Sequence, residues 1–195
     1  MTVRALLVVA HPRRSSLTFA VAEAFATAAS GHGVEFERAD LVGEGFDATL
    51  RADDEPDWSN PEKVYSVAVQ AEIARIARNQ ATVIVFPVWW WSMPAVLKGW
   101  IDRVWNHGFA YGSRAYPQRR VWMLGLAGTT EDAYAKRGYD AAMRTQLEIG
   151  VLEYCGVEDR RLEILYGVNE GAAEAALARA ASLGEEFASG PHRAR

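Results

Sequence analysis

The chain has 195 residues, 50% of them hydrophobic, with a formal net charge of -4 and a single cysteine, Cys155. That length and composition suit one buried domain. The small acidic excess, with no basic stripe, argues against nucleic acid as a partner. A lone cysteine excludes an intramolecular disulfide and fits a reducing compartment, so we expect a cytoplasmic protein in which Cys155 is buried.

No apolar run is long enough to cross a bilayer, and the run at the N-terminus lacks the cleavage site of a signal peptide. We therefore expect no insertion into a membrane. No metal site is expected either, because the four histidines are scattered without ligand spacing. One domain is predicted over residues 1–189, since no linker interrupts it, with residues 190–195 as a disordered tail.

Apolar runs and helical periodicity alternate along the chain. Residues 3–10 form a Val- and Leu-rich run typical of a parallel strand that is buried on both faces. Residues 17–30 repeat apolar positions at helical spacing, and the pattern stops at Gly31. A second strand is predicted at 33–41 and a helix at 62–79.

The same alternation continues to the C-terminus. Further strands are predicted at 81–86, 119–127 and 161–168, and further helices at 94–105, 139–155 and 171–189. Strands that alternate with helices imply right-handed crossovers and a parallel sheet. The predicted fold class is therefore α/β: a flavodoxin-like, doubly wound, five-stranded parallel sheet with helices on both faces.

Residues 41–62 interrupt this alternation, because the segment is long, acidic and aperiodic. Loops of that length in compact domains are usually functional or disordered, and we expect an ordered flap or a subunit contact. In the helix at 94–105, Asp102 and Arg103 are expected to fix the helix to neighbouring loops rather than to act in catalysis.

In a doubly wound sheet, ligands bind beyond the carboxyl ends of the strands, where the winding reverses. That rule selects the loops after the first, third and fourth strands. The first loop, HPRRSSLT at 11–18, combines polar side chains with the free N–H groups of a helix start, which favours a phosphate. Arg13 and Arg14 would add charge; alternatively, Ser15 or Ser16 only caps the helix.

The second loop, PVWWWSMP at 87–94, holds three of the seven tryptophans. Adjacent side chains point in different directions, so at least one indole is expected to be exposed. It would line a pocket for a flat aromatic ligand or lie at an oligomer interface. The third loop, at 127–139, offers backbone donors around Gly128, Thr129 and Thr130 for the polar edge of a flavin ring.

Three stretches carry a family resemblance: AHPRRSSLTFAVAEAF, VFPVWWWSMPAVLKGWIDRVWNHGFAYG and the loop after the fourth strand. They resemble the NAD(P)H:quinone oxidoreductases of the flavodoxin-like fold, the DT-diaphorase group. That group includes bacterial drug-activity modulators and ancillary oxidoreductases of potassium efflux systems. The likeness covers residues 3–187, and its most specific part is FPxxWxxxPAxLKGWIDRV followed by FAYG.

The resemblance implies a tightly bound FAD, with FMN as the alternative, NADPH or NADH as the reductant, and a homodimer. It assigns flavin binding to His11, Ser16, Leu17, Thr18, Pro87, Val88, Trp89, Trp90, Trp91, Ala127, Gly128, Thr129 and Tyr134. The candidate catalytic residues are Tyr134 and Tyr111. Tyr111 falls where the family has a tyrosine that faces the substrate pocket, often across the dimer interface.

Two departures from the family pattern concern the loop after the fourth strand. Residues 126–129 read LAGT where the family often has TTGG, which displaces two hydroxyls towards Thr129 and Thr130. The histidine that accompanies the tyrosine in some members has no counterpart in this loop. Tyr134 is therefore expected to act alone or with water.

The predicted function is two-electron transfer from NAD(P)H, through N5 of the flavin, to a quinone, with azo and nitro compounds as further acceptors. One stacking site shared by both substrates predicts ping-pong kinetics. Two alternatives stay open. One is a regulatory flavoprotein subunit that docks on a potassium efflux transporter in the membrane, and the other is a flavodoxin-type electron carrier.

Overall fold

Five parallel strands form one sheet in the computed structural model, which describes residues 3–190. The strands are β1 (Val3–Val9), β2 (Val34–Asp40), β3 (Ala81–Pro87), β4 (Arg120–Leu126) and β5 (Asp159–Leu165). Their order in the sheet is β2-β1-β3-β4-β5, so the winding reverses between β1 and β3. The predicted fold class is confirmed, and the loops after β1 and β3 flank the reversal.

Helices cover both faces of the sheet. They are α1 (Leu17–Ser30), α2 (Val67–Ala77), α3 (Ala95–Val104), α4 (Glu131–Ala135), α5 (Tyr139–Met143) and α6 (Ala173–Ser189). Helix α5 continues as a π-helix over Arg144–Glu153. Two cores result because neighbouring strand residues point to opposite faces: Leu7 packs with α1 and α6, whereas Leu6 and Val8 pack with α2, α3 and α5.

Three predicted boundaries differ from the structure. Helix α2 begins at Val67 rather than at 62, because Ser66 caps it by accepting a hydrogen bond from the N–H of Val69. The loop predicted at 127–139 contains α4, which the hydroxyl of Thr130 caps. Strand β5 ends at Leu165 instead of 168, so the residues after it form a loop at the carboxyl edge of the sheet.

The segment 41–62 is folded against α3 by a buried ion pair. Asp54 in the 3-10 turn Ala52–Asp54 is 0% exposed and accepts hydrogen bonds from Arg103 Nε at 3.1 Å and Nη2 at 2.6 Å. Burial acts to raise the pKa of Asp54, but the hydrogen bonds from Arg103 and Ser66 outweigh it and hold that pKa below its usual value.

The two charged residues singled out in α3 behave differently. Arg103 binds Asp54 and also donates to the carbonyl oxygen of Asp47, so the prediction that it fixes the helix to a neighbouring loop is confirmed. For Asp102 the prediction is wrong. Its carboxylate pairs with Lys98 on the same helix at 2.6 Å, because the spacing of four residues places both side chains on one exposed face.

Three further expectations can be compared with the described residues. Cys155 is buried as predicted, and burial raises its pKa to about 11, so the thiol stays protonated at neutral pH. Between residues 3 and 190, no helix combines the length and apolarity needed to cross a membrane. Apart from Gly190, the predicted tail at 190–195 lies outside the described residues.

Candidate functional site

A pocket of about 290 Å³ lies at the carboxyl edge of the sheet, where the winding reverses. It is lined by His11, Arg13, Ser16, Leu17, Thr18, Pro87, Val88, Trp89, Leu126, Gly128, Val168 and Asn169. The three loops selected from the sequence therefore meet, as parallel strands of this order require. The loop after β5 joins them as a fourth wall.

The start of α1 forms one end of the pocket. The hydroxyl of Ser16 accepts a hydrogen bond from the N–H of Phe19 at 3.5 Å, so the cap interpretation of Ser16 is confirmed. The N–H groups of Leu17 and Thr18 have no acceptor among residues 3–190. Since a helix start also carries a partial positive charge, this end of the pocket can bind an anion.

His11 and Arg13 lie beside the helix start. His11 Nδ1 lies 3.0 Å from the N–H of Arg13 and 3.2 Å from its carbonyl oxygen. Burial lowers the pKa of His11 below its usual value, so the ring is neutral at pH 7. Arg14 forms an ion pair with Asp40 at 2.7 Å, which leaves Arg13 as the cation lining the pocket.

The tryptophan turn, residues 89–92, is a two-residue hairpin turn. Trp89 and Ser92 exchange backbone hydrogen bonds of 3.0 and 3.1 Å. Trp90 and Trp91 between them have φ angles of +52° and +53°, where Asn and Gly are the usual residues. A left-handed conformation costs about 1–2 kcal/mol per residue, and such strain is concentrated at functional sites.

The tryptophan turn presents both indoles and free backbone donors. Trp90 is 86% exposed, and Trp89 and Trp91 are 46% and 38% exposed, which confirms the predicted exposure. No acceptor for the N–H groups of Trp90 and Trp91 is found in the described part of the chain. The turn can therefore supply hydrogen-bond donors to the polar edge of a flat ligand.

The loop after β4 contributes its backbone rather than its hydroxyls. A Cβ added at Gly128 would lie 2.6 Å from Asn169 Nδ2, so a larger residue there would displace the Asn169 side chain. The N–H groups of Gly128 and Thr129 have no acceptor within 3–190. The hydroxyls of Thr129 and Thr130 are engaged elsewhere, with Glu170 and with the start of α4.

Ala127 differs from its neighbours in this loop. Its side chain is fully buried and its N–H donates to the carbonyl oxygen of Leu165 at 2.8 Å. Ala127 therefore has no backbone donor to spare for a ligand. It was predicted as a binding residue because of its place in the sequence, but the pairing of β4 with β5 occupies its amide.

Tyr134 lies in the middle of a short row of aromatic rings. It is buried, with ring contacts to Tyr139 at 5.9 Å and Tyr166 at 5.2 Å. Burial raises the pKa of Tyr134 above its usual value, so the phenol is protonated at neutral pH. Its hydroxyl has no hydrogen-bond partner in the described residues and is available as a donor.

Tyr111 lies in a different group, the aromatic cluster formed by Trp58, His107, Tyr111 and Tyr154. Its ring lies 5.6 Å from Trp58, 5.8 Å from His107 and 5.7 Å from Tyr154. None of these residues lines the pocket at the edge of the sheet. The two predicted catalytic tyrosines thus lie in different groups of rings, and Tyr134 is not among the residues that line the pocket either.

Val168 and Asn169 were not identified as site residues from the sequence. The N–H of Asn169 donates to the carbonyl oxygen of Gly128 at 3.1 Å, and its side-chain amide has no partner among the described residues. The signal that could have found them is the strand order, since β5 ends at the same edge as β4. Because residues 161–168 were predicted as a strand, Val168 was not recognised as a loop residue.

The residues present fit a flavin. The unpaired N–H groups at the start of α1 suit its phosphate, and those of the tryptophan turn and of Gly128 suit the oxygen and nitrogen acceptors of its ring. Gly128 lines the pocket and has no side chain to cover its backbone. Exposed indole faces suit an aromatic ring system.

Comparison with known proteins finds oxidoreductases that are similar to this chain. The chain is 36% identical over 163 residues to an uncharacterized NAD(P)H oxidoreductase of Escherichia coli (strain K12), a match covering 83% of each chain. It is 26% identical over 189 residues to NAD(P)H dehydrogenase (quinone) 1 of Cavia porcellus, covering 85% of this chain and 69% of that one.

A solved structure is similar over nearly the whole chain. It is the NAD(P)H:quinone oxidoreductase from Methanothermobacter marburgensis, with a TM-score of 0.91 and 31% identity, covering 98% of this chain and 100% of that one. The predicted likeness to NAD(P)H:quinone oxidoreductases and the prediction of an oxidoreductase are confirmed, and the family implies a flavin and NAD(P)H. The family model described as flavodoxin-like fold matches residues 3–185, and the chain belongs to that family.

Proposed function

We propose that the chain is a flavin-dependent NAD(P)H:quinone oxidoreductase whose flavin lies across the pocket at the carboxyl edge of the sheet. One observation carries the proposal. Unpaired backbone N–H groups of Leu17, Thr18 and Gly128 line one pocket, which the exposed indole of Trp89 also borders. Buried or half-buried donors without acceptors are costly, so a ligand with matching acceptors is expected there.

A bound flavin would supply the hydride and two-electron chemistry that links NAD(P)H to the acceptor. The N–H groups of Trp90 and Trp91 would stabilise negative charge on the ring's polar edge, since fixed donors need no reorganisation. In total, NAD(P)H, one proton and a quinone give NAD(P)⁺ and a hydroquinone. Tyr134, protonated at neutral pH, would donate a hydrogen bond to an oxygen of the quinone. A proton that its hydroxyl gave up would be replaced from the solvent.

FAD is the proposed flavin, with FMN as the alternative. The pocket at the edge of the sheet accounts for the phosphate, the ribityl chain and the ring, which both flavins share. The segment 41–62 and a dimer interface would provide the additional surface that an adenine needs. Mass spectrometry of the flavin released by heat separates the two.

A homodimer is proposed because Tyr111 lies outside the pocket of its own chain. Its neighbours Trp58 and Tyr154 are 69% and 65% exposed, and Val64 and Val67 nearby in sequence to Trp58 are also exposed. Exposed apolar side chains on this scale mark interaction surfaces. The partner's copy of the aromatic cluster would then complete the acceptor site. Sedimentation velocity on the purified protein tests this, and a single monomeric species would contradict it.

The first experiment is an absorption spectrum of the purified protein. Flavin bands, bleached by NADPH or NADH without oxygen and restored by a quinone, are the expected result. A colourless protein that takes up neither FAD nor FMN would overturn the proposal. A one-electron-reduced form that accumulates during titration would instead favour the flavodoxin-type carrier.

A further inference from the structure

Two contacts join the tryptophan turn to α5 and its π-helical extension. The ring of Tyr139, the first residue of α5, stacks on Trp91 with centroids 4.2 Å apart and an interplanar angle of 33°. Close by, the hydroxyl of Ser92 donates to Gln146 Oε1 at 3.2 Å. These contacts therefore hold the turn at Trp91, its second left-handed residue, and at Ser92.

Apart from these two contacts, the ring of His11 lies 6.2 Å from that of Trp89 at the start of the tryptophan turn. Within the turn, only the pair of backbone hydrogen bonds between Trp89 and Ser92 closes it. Trp90 is 86% exposed, and its ring contact in the described residues is with Trp91, at 5.8 Å. Two left-handed residues without glycine are disfavoured, so a contact from outside the turn must offset the strain.

Tyr139 is well placed to provide that contact. It follows Gly138, whose φ of +69° ends the preceding turn and begins α5. Its ring also meets the edge of Tyr134 at 5.9 Å, and Tyr134 in turn packs against Tyr166. The row of rings runs from the tryptophan turn to the loop after β5, so Tyr139 connects the strained turn to the proposed proton donor.

We propose that Tyr139 is a positioning residue of this site: its stack on Trp91 keeps the tryptophan turn left-handed, which leaves the N–H groups of Trp90 and Trp91 free for the flavin ring. This inference rests on the proposed function, because it concerns how the same flavin is held. Tyr139 is not assigned any contact with the reacting atoms.

The first test compares two substitutions of Tyr139 by flavin titration of the flavin-free protein. Tyr139→Leu removes the ring but keeps apolar bulk in a helix, and it should raise the Kd for FAD or FMN about five- to tenfold. Tyr139→Phe keeps the ring and should stay within about twofold of the wild type. An equal loss in both variants would show that the hydroxyl matters and not the stack, which would overturn the proposal.

A second measurement does not need flavin. In the flavin-free protein labelled with 5-fluorotryptophan, the ¹⁹F resonance of Trp91, assigned with Trp91→Phe, should move in Tyr139→Leu and stay in place in Tyr139→Phe. An unchanged resonance in Tyr139→Leu would overturn the role of Tyr139. If the wild type binds no flavin, the proposed function fails, while this measurement still decides whether the stack holds the turn.

A third variant tests the left-handed conformation itself. Glycine adopts positive φ without the Cβ penalty, so Trp90→Gly should reduce the turn's need for support. In that background, Tyr139→Leu should raise the flavin Kd by less than twofold. The same five- to tenfold loss in both backgrounds would show that Tyr139 acts independently of the turn's strain and would overturn the proposal. Thermal unfolding of each variant shows that the compared proteins are folded.

Discussion

The buried anchor at Asp54 and the pocket at the edge of the sheet are both clusters of polar groups in loop regions. They differ in whether those groups have hydrogen-bond partners within the chain. At Asp54, Oδ1 accepts from the N–H of Ser66, and Oδ2 accepts from Arg103 and the Ser66 hydroxyl. At the pocket, the N–H groups of Leu17, Thr18 and Gly128 have no acceptor within the described chain.

This contrast separates structural polar groups from groups that await a ligand. A buried cluster whose members satisfy one another fixes the fold, and removing one member leaves a charge unpaired. A cluster of donors without acceptors, placed next to a strained turn, gains its partners only when something binds. Variants in the first region should change stability, whereas variants in the second should change binding and turnover.

The largest effect is expected at the anchor. Arg103→Leu should lower the free energy of unfolding by about 3–5 kcal/mol, because Asp54 stays buried without its cation. Lys98→Ala, on the same helix, removes an exposed ion pair and should cost less than about 1 kcal/mol. Urea denaturation of the flavin-free proteins measures both. Similar losses in the two variants would erase the distinction between the buried and the exposed pair.

At the pocket, the corresponding change should affect catalysis alone. Tyr134→Phe removes one hydroxyl and should lower kcat/KM for a quinone about 100-fold, the low end for proton donors, with the flavin Kd unchanged. Because burial raises the pKa of Tyr134, no loss of activity from its ionisation should occur below about pH 10. Steady-state kinetics across pH checks both points, and full activity of Tyr134→Phe would remove Tyr134 from the mechanism.

A substitution of Gly128 tests the prediction that variants at the pocket change binding. Gly128→Ala should weaken flavin binding roughly tenfold, about 1.4 kcal/mol, because the new Cβ would press on Asn169 and shift the loop. The double variant Gly128→Ala/Asn169→Ala removes that collision and should recover most of the affinity. Isothermal titration with flavin measures each variant. No recovery in the double variant would mean that the backbone, and not Asn169, resists the added methyl group.

The smallest effect is expected on the stability of the protein at low pH. The folded-state pKa of Asp54 lies below its unfolded value of about 3.9, so its contribution to stability is complete above that value. It is lost as the pH falls through the folded-state pKa. Asp54→Asn should therefore show a flatter loss of stability below about pH 4. Identical acid unfolding curves for Asp54→Asn and the wild type would contradict the depressed pKa.

Much of this site could be anticipated from local sequence. His11, Ser16 and Gly128 follow strands that periodicity identifies, and parallel strands place their carboxyl ends at one edge. Asn169 was missed because the loop after the fifth strand was not among the loops selected, and Val168 because the pattern extended β5 three residues past Leu165. The sequence could not show which partners the hydroxyls of Thr129 and Thr130 have, since these depend on where α4 begins and on Glu170.

The sequence by itself determined the alternation of strands and helices, the parallel sheet, the loops that carry the site and the exposure of the tryptophans. These follow from periodicity and backbone chemistry, which act over a few residues. Only the tertiary structure decided the pairing of Asp54 with Arg103, the left-handed turn at Trp90 and the stack of Trp91 on Tyr139. The Asp54–Arg103 pair and the Trp91–Tyr139 contact each join residues about 50 positions apart. No local pattern specifies which distant side chain offsets a given strain or charge.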